Sequence, residues 1–400
     1  MNKKTEKNEE LETINVGIFG HIDHGKTTLL ERLSGKWTDT HSEELKRGIT
    51  IKLGYADIVV YNDAGEYNIE GRGKPARHVS FIDAPGHEML MATTLSGAAL
   101  IDAAILIIAA NEGIKPQTRE HLMVLQVKKI RNIIVIQNKI DLVSIEQARK
   151  NYEDIRKFLG ESYKDIQIIP VSVQQRVNIG EVLRAISLLP IPRRNTDAEP
   201  LFVVARSFDI NKPGTIPREL HGAVLGGSLK QGILKVGDEI EIKPGRIVKS
   251  GNENKYVPIR TKIRSLYRGS KEVKSFSPGG SMSIESEIDM ALGKNDLLAG
   301  NVLSYPNKLP SPVSEVKVEY ALFPEAHDVE NHTSIEKIKQ NETLMLSINT
   351  SITGGVVSTA KEKELIISLK IPAIIKKGDN VGIARNIKSH WRLIGYGEIV

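Results

Sequence analysis

The sequence predicts an α/β domain with a doubly wound sheet followed by two β-barrels. Three observations predict it. Short β-branched runs alternate with longer helical stretches from Ile14 to about Leu189. Prolines 190, 192 and 200 then bracket a polar link at residues 193–199. Beyond the link, short alternating strands are separated by Gly and Pro turns. Alternating β and α units cover a parallel sheet with helices on both faces, whereas many short strands with turn residues close into barrels. Four hundred residues also exceed what one hydrophobic core usually organises.

Residues 1–12 mix Lys3, Lys4 and Lys7 with Glu6, Glu9 and Glu10 and lack an apolar run, so they read as a flexible tail and not a secretory signal. In the first domain, residues 13–196, strands are expected at 15–20, 79–83, 104–110, 132–138 and 166–171. Most are apolar throughout, as buried parallel strands are. Helices are expected near 27–33, 116–127, 144–159 and 179–188. The second domain, 197–307, offers strands at 202–208, 222–227, 239–242, 261–267 and 281–285. A prolyl break at 306, 310 and 312 opens the third, 308–400, with strands at 315–320, 343–349, 355–359 and 364–369.

Composition narrows the function classes. The chain has no cysteine, which excludes disulfides, thiolate zinc sites and thiol catalysis and fits a reducing compartment. Its longest apolar stretch, 97–110, is interrupted by Asp102 and falls short of the roughly 20 residues that span a bilayer. A cytoplasmic protein without a membrane partner is therefore expected. The net charge of +6 is compatible with a polyanionic partner and equally with solvated Lys and Arg.

Gly20-His21-Ile22-Asp23-His24-Gly25-Lys26-Thr27 matches G-x-x-x-x-G-K-[ST], the phosphate-binding loop. Each fixed type has a job: glycines let backbone N–H groups curl around phosphate oxygens, Lys26 supplies a point charge, and the Thr27 hydroxyl reaches magnesium. The loop follows an apolar strand and opens a helix, as that mechanism demands. Asp83-Ala84-Pro85-Gly86 ends the second buried strand, where a carboxylate can face magnesium through water and the Gly86 N–H can meet the γ-phosphate. Asn138-Lys139-Ile140-Asp141 resembles the guanine reader of P-loop GTPases. The carboxylate of Asp141 can accept from N1–H and the exocyclic amine of guanine, which adenine does not offer.

At Arg47-Gly48-Ile49-Thr50 and His87 the chain resembles translational GTPases such as elongation factor Tu. That resemblance implies Thr50 as a switch residue on magnesium and His87 as the catalytic side chain that orients the attacking water, a task suited to a group that both donates and accepts near neutral pH. The segment from Trp37 to Asp57 is similar to the gamma subunit of archaeal translation initiation factor 2. So are 91–93, 110–112, 206–215, 342–347 and 391–397. The resemblance spans all three domains. It implies nucleotide contacts from Asp23, His24, Gly25, Lys26, Thr27, Thr28, Asp83, Gly86, Asn138, Lys139 and Asp141, with a last base contact at Ser172, Val173 and Gln174, where the usual Ser-Ala reads Ser-Val. It further implies GTP or GDP with magnesium on Thr27 and Thr50, and a second magnesium on Asp23 and the Gly48 carbonyl. The implied partners are alpha and beta subunits, methionylated initiator tRNA and the small ribosomal subunit.

One departure stands out. The family commonly carries a four-cysteine zinc knuckle before D-A-P-G-H, whereas residues 61–77 here are polar, rich in glycine and free of cysteine. No structural zinc is expected, since His78 alone cannot build a tetrahedral site. Basic residues gathered between Lys243 and Lys274 suit RNA phosphates, and their alternation equally describes the wet face of a strand. Two other readings stay open: an elongation-type or selenocysteine-specific aminoacyl-tRNA carrier, and a regulatory GTPase that binds only proteins. The Trp37–Asp57 wording weighs against the first and the two barrels against the second.

Overall fold

In the computed structural model, residues 11–35, 53–84, 91–250, 253–269, 271–327 and 332–400 are described. Gly48, Thr50, Gly86 and His87, and the tail at 1–10, lie outside them.

Strand β1 (Thr13–Gly20) is buried along its whole length, as a central strand covered on both faces must be, with Thr13 and Asn15 its polar members. It pairs in parallel with β4 (Lys74–Asp83) and with β5 (Ala103–Ala109). Parallel β6 (Ile133–Asn138) and β7 (Ile168–Pro170) extend that side. Helices α1 (Lys26–Ser34), α2 (Met91–Ala98), α3 (Pro116–Val127), α4 (Ile145–Leu159) and α5 (Ile179–Ser187) complete the βα alternation. Two apolar clusters, one containing Leu106 and Val124 and the other Leu29, Ile105 and Ile186, fill the layers on the two faces of the sheet.

The doubly wound sheet is present as expected, and it is mixed, with an antiparallel edge. Strands β2 (Gly54–Asp63) and β3 (Glu66–Asn68) add an antiparallel edge in the order β3-β2-β4-β1-β5-β6-β7. The polar stretch at 61–77 is the far end of this ribbon. It reads as loop because an edge strand keeps one face wet, and β2 accordingly alternates between buried and half-exposed positions. Its two-residue turn, Ala64-Gly65, has φ of 51° and 101°, the mirror-image geometry that matches strand twist. The apolar stretch at 97–110 is likewise two elements, the end of α2 and the whole of β5.

The barrels are as expected in kind and larger in extent. In the first, six strands close in the order Glu239–Ser250, Val302–Ser304, Leu201–Phe208, Val224–Gln231, Met282–Ser286, Glu253–Arg268 and back. In the second, Val313–Leu322, Glu364–Ala373, Ser351–Ala360, Thr343–Ile348, Asn380–Ile387 and His390–Ile399 form a closed ring. Each encloses its own apolar core. The polar link is no free tether: Arg194 donates to the carbonyls of Thr13 (2.8 Å) and Pro278 (3.0 Å) and pairs with Asp102 at 2.5 Å.

Candidate nucleotide-binding site

The expected motifs converge on the carboxyl edge of the parallel strands, where ligands collect in open α/β sheets. The loop after β1 turns into α1 at Gly25, whose φ is 97°. A side chain there would strain the backbone and place Cβ 2.4 Å from Asn138 Nδ2. Gly20 meets the same limit, since its Cβ would lie 2.4 Å from the Ile107 carbonyl on β5. Lys26 is buried, with Nζ donating to the His21 carbonyl at 2.8 Å, so the ammonium folds across the loop's own backbone. Thr28 is half-buried in the first turn of α1, and Asp23 is exposed with φ of 61°.

Thr27 Oγ1 donates to Asp83 Oδ2 at 3.2 Å, and Asp83 is fully buried at the end of β4. A hydroxyl and a carboxylate set side by side are hard oxygen donors, a set that suits magnesium. Asn138, at the end of β6, ties two loops together: Nδ2 donates to the His24 carbonyl at 2.9 Å and Oδ1 accepts from the Val173 N–H at 3.1 Å. Lys139 follows with a left-handed φ of 61° and opens a short 3₁₀ turn that leaves Asp141 exposed. Ser172 is buried and its hydroxyl accepts from the Gln175 N–H at 3.2 Å, fixing a turn in which Val173 is buried and Gln174 exposed. All expected site residues that are described meet at this edge.

Several supporting residues escape motif reading. Glu112, just past β5, approaches His24 (3.7 Å), Lys115 (4.0 Å) and Lys139 (3.2 Å). Burial alone would raise its pKa; the Lys139 hydrogen bond and the neighbouring cations outweigh that and hold the carboxyl below its ordinary value. Burial pushes His24 down to about 4, so the imidazole inside the loop is neutral at physiological pH. From α3, Gln117 Oε1 accepts from the Ile22 N–H at 3.2 Å and His121 Nδ1 accepts from the Gly20 N–H at 2.9 Å. No short pattern announces these partners; they act because α3 crosses the base of the loop.

A phosphate loop, a buried carboxylate beside its threonine and an Asn-Lys turn, on a sheet followed by two barrels, define a translational GTPase. Residues 11–190 match the elongation factor Tu GTP-binding domain family. Residues 314–399 match the family described as initiation factor eIF2 gamma, C terminal. The chain is 48% identical to translation initiation factor 2 subunit gamma of Methanococcus vannielii over 402 residues, covering 97% of this chain and 98% of that one. It is 47% identical to the protein of the same name from Archaeoglobus fulgidus, covering 97% and 95%. The chain belongs to the translation initiation factor 2 gamma-subunit family. Among solved structures, a bacterial selenocysteine-specific elongation factor, EF-Sec, aligns with a TM-score of 0.77 at 25% identity, over 97% of this chain and 58% of that one. Elongation factor SelB of Methanococcus maripaludis, with a GTP analogue, aligns at 0.72 and 23% identity, over 98% and 79%, a likeness of fold.

Proposed function

We propose that this chain is the GTP switch of a heterotrimeric initiation factor: with alpha and beta subunits it binds methionylated initiator tRNA, delivers it to the small ribosomal subunit and hydrolyses GTP. The nucleotide part rests on the meeting of Thr27, Asp83, Asn138 and Lys139 at one sheet edge. The tRNA part rests on near-full-length similarity to proteins named as initiation factor subunits. In this reading the three domains are 13–196, 197–307 and 308–400, and the tail is 1–12.

Backbone N–H groups from Asp23 to Thr28 cradle the phosphates, with Lys26 placed to exchange its carbonyl partner for phosphate oxygen. The Thr27 hydroxyl, the Asp83 carboxylate and Thr50 are the residues that would hold magnesium, while Gly86 would offer its N–H to the γ-phosphate. Asp23 and the Gly48 carbonyl would hold a second ion. Magnesium, when bound, offsets charge gathering on the phosphate oxygens. Asp141 reads guanine, Asn138 and Lys139 shape the base pocket, and Ser172, Val173 and Gln174 close its far side. His87 orients the attacking water.

The test is binding of the GTP and GDP forms, with alpha subunit present, to methionylated initiator, elongator and selenocysteinyl tRNAs. Preference for the first in the GTP form is expected. Equal affinity for all three, or none for any, overturns the initiator reading. The selenocysteine alternative draws on fold neighbours at 22–25% identity, far below the initiation factor relatives. Metal analysis is expected to find no zinc, and one zinc per chain would overturn that expectation.

A further inference from the structure

Helix α3 touches the phosphate loop at one end and the C-terminal barrel along the rest. Gln117 and His121, four residues apart, share the face that receives the Ile22 and Gly20 N–H groups, and the Phe19 ring meets His121 edge-on at 5.6 Å. On the neighbouring face Glu120 accepts from Arg392 at 3.0 Å, with both side chains 5% exposed. Immediately past the helix end, Lys128 donates to the Ser347 hydroxyl (3.0 Å) and the Asn349 carbonyl (3.3 Å), and Lys129 pairs with Glu398. Gly382 of the barrel packs between Leu95 of α2 and Val127 of α3; a Cβ there would lie 3.3 and 3.5 Å from them.

We propose that α3 is a strut through which the C-terminal barrel sets the shape of the phosphate loop, with Arg392 a positioning residue for the nucleotide. The inference rests on the nucleotide reading of that loop. Removing one member of a buried ion pair leaves a charge in a desolvated site, so Arg392 helps to hold Glu120 in place, and Glu120 is adjacent to His121 in α3. Gly20 and Ile22 hang on that helix by their amides, at the first turn of the loop that curls around phosphate. The coupling is reciprocal: if barrel docking tightens nucleotide binding, nucleotide must tighten barrel docking by the same factor.

The experiment uses the full chain and a fluorescent GDP analogue, with dissociation followed by stopped flow. Arg392→Met and Glu120→Gln are each expected to speed dissociation about tenfold, and the double variant no more than the larger single effect. Arg392→Lys should restore most of the loss. Arg385→Met, which breaks the Arg385–Glu342 pair wholly inside the same barrel, should leave the rate unchanged. In hydrogen exchange, GDP should protect residues 380–393 in the wild-type chain and fail to do so in the two strut variants. Dissociation within about twofold of wild type in both strut variants, or equal acceleration by Arg385→Met, overturns the strut. If Arg392→Met does not fold, Glu120→Gln carries the same reading. A wild-type chain that does not bind GDP overturns the site itself, and the strut with it.

Discussion

Asn138 Nδ2 donates to the His24 carbonyl at 2.9 Å, joining the end of β6 to the inside of the phosphate loop across more than a hundred residues of sequence. The same side chain accepts from the Val173 N–H. Asn138→Ala would orphan a buried carbonyl and a buried N–H, each worth about 1–3 kcal/mol when left unmade. A loss of about 2–6 kcal/mol of folding stability is expected in chemical denaturation, together with weaker GDP binding. Stability within about 0.5 kcal/mol of wild type would mean that water replaces both contacts.

That contact also marks what the sequence could and could not disclose. The strand-then-motif order placed Thr27, Asp83 and Asn138 at one sheet edge, because buried parallel strands are apolar enough to recognise and each motif follows one directly. The β2–β3 ribbon stayed hidden, since a half-wet strand ending in Asn62 and Asp63, followed by a turn and a strand that opens on Glu66, looks like loop. Helix α2 goes unannounced in the sequence because Ala98, Leu100 and Ile101 carry its apolar pattern on towards β5. Glu112, Gln117 and His121 carry no local signature; their partners are chosen by how α3 and β5 pack, a tertiary fact.

Asp141 stands exposed in the turn after Lys139. Asp141→Asn exchanges one carboxylate acceptor for an amide donor, so preference should move from guanine to xanthine nucleotides. A competition assay with GDP and xanthosine diphosphate measures it. Unchanged guanine selectivity would remove Asp141 from its role.

His24 gives the first domain a pH dependence. Its side chain is fully buried and its pKa falls from an ordinary 6.5 to about 4, burial being the main cause. Above 6.5 the imidazole is neutral folded or unfolded and contributes nothing to the slope. As pH falls from 6.5 towards 4, only the unfolded chain takes up the proton, so the native state loses stability, by about 3 kcal/mol in total. His24→Gln should flatten this part of the stability curve relative to wild type. Parallel curves from pH 7 to 4.5 would show that the native imidazole protonates freely.

Seven of the ten basic residues between Lys243 and Lys274 fall into two groups once their partners are known. Buried Glu241 pairs with Lys243 and Arg260, both at 3.1 Å, and Glu285 lies 3.6 Å from Arg264. Lys262 is 3.6 Å from Glu239. These cations are largely matched within the barrel and offer little net field to a polyanion. Arg246, Lys249 and Lys255 are exposed on the far half of the long hairpin, in the register Arg246–Val257 to Lys249–Asn254. If this barrel meets RNA phosphates, the outer group does so. Each lost phosphate contact lowers the slope of log affinity against log salt by roughly 0.9 on duplex RNA treated like B-form DNA. Lys249→Ser with Lys255→Ser should therefore flatten the salt dependence of tRNA binding and leave stability within about 0.5 kcal/mol. Arg260→Gln should do the reverse, costing stability because Glu241 loses a partner while the salt slope stays put. An unchanged slope in the double variant would place the RNA on another face.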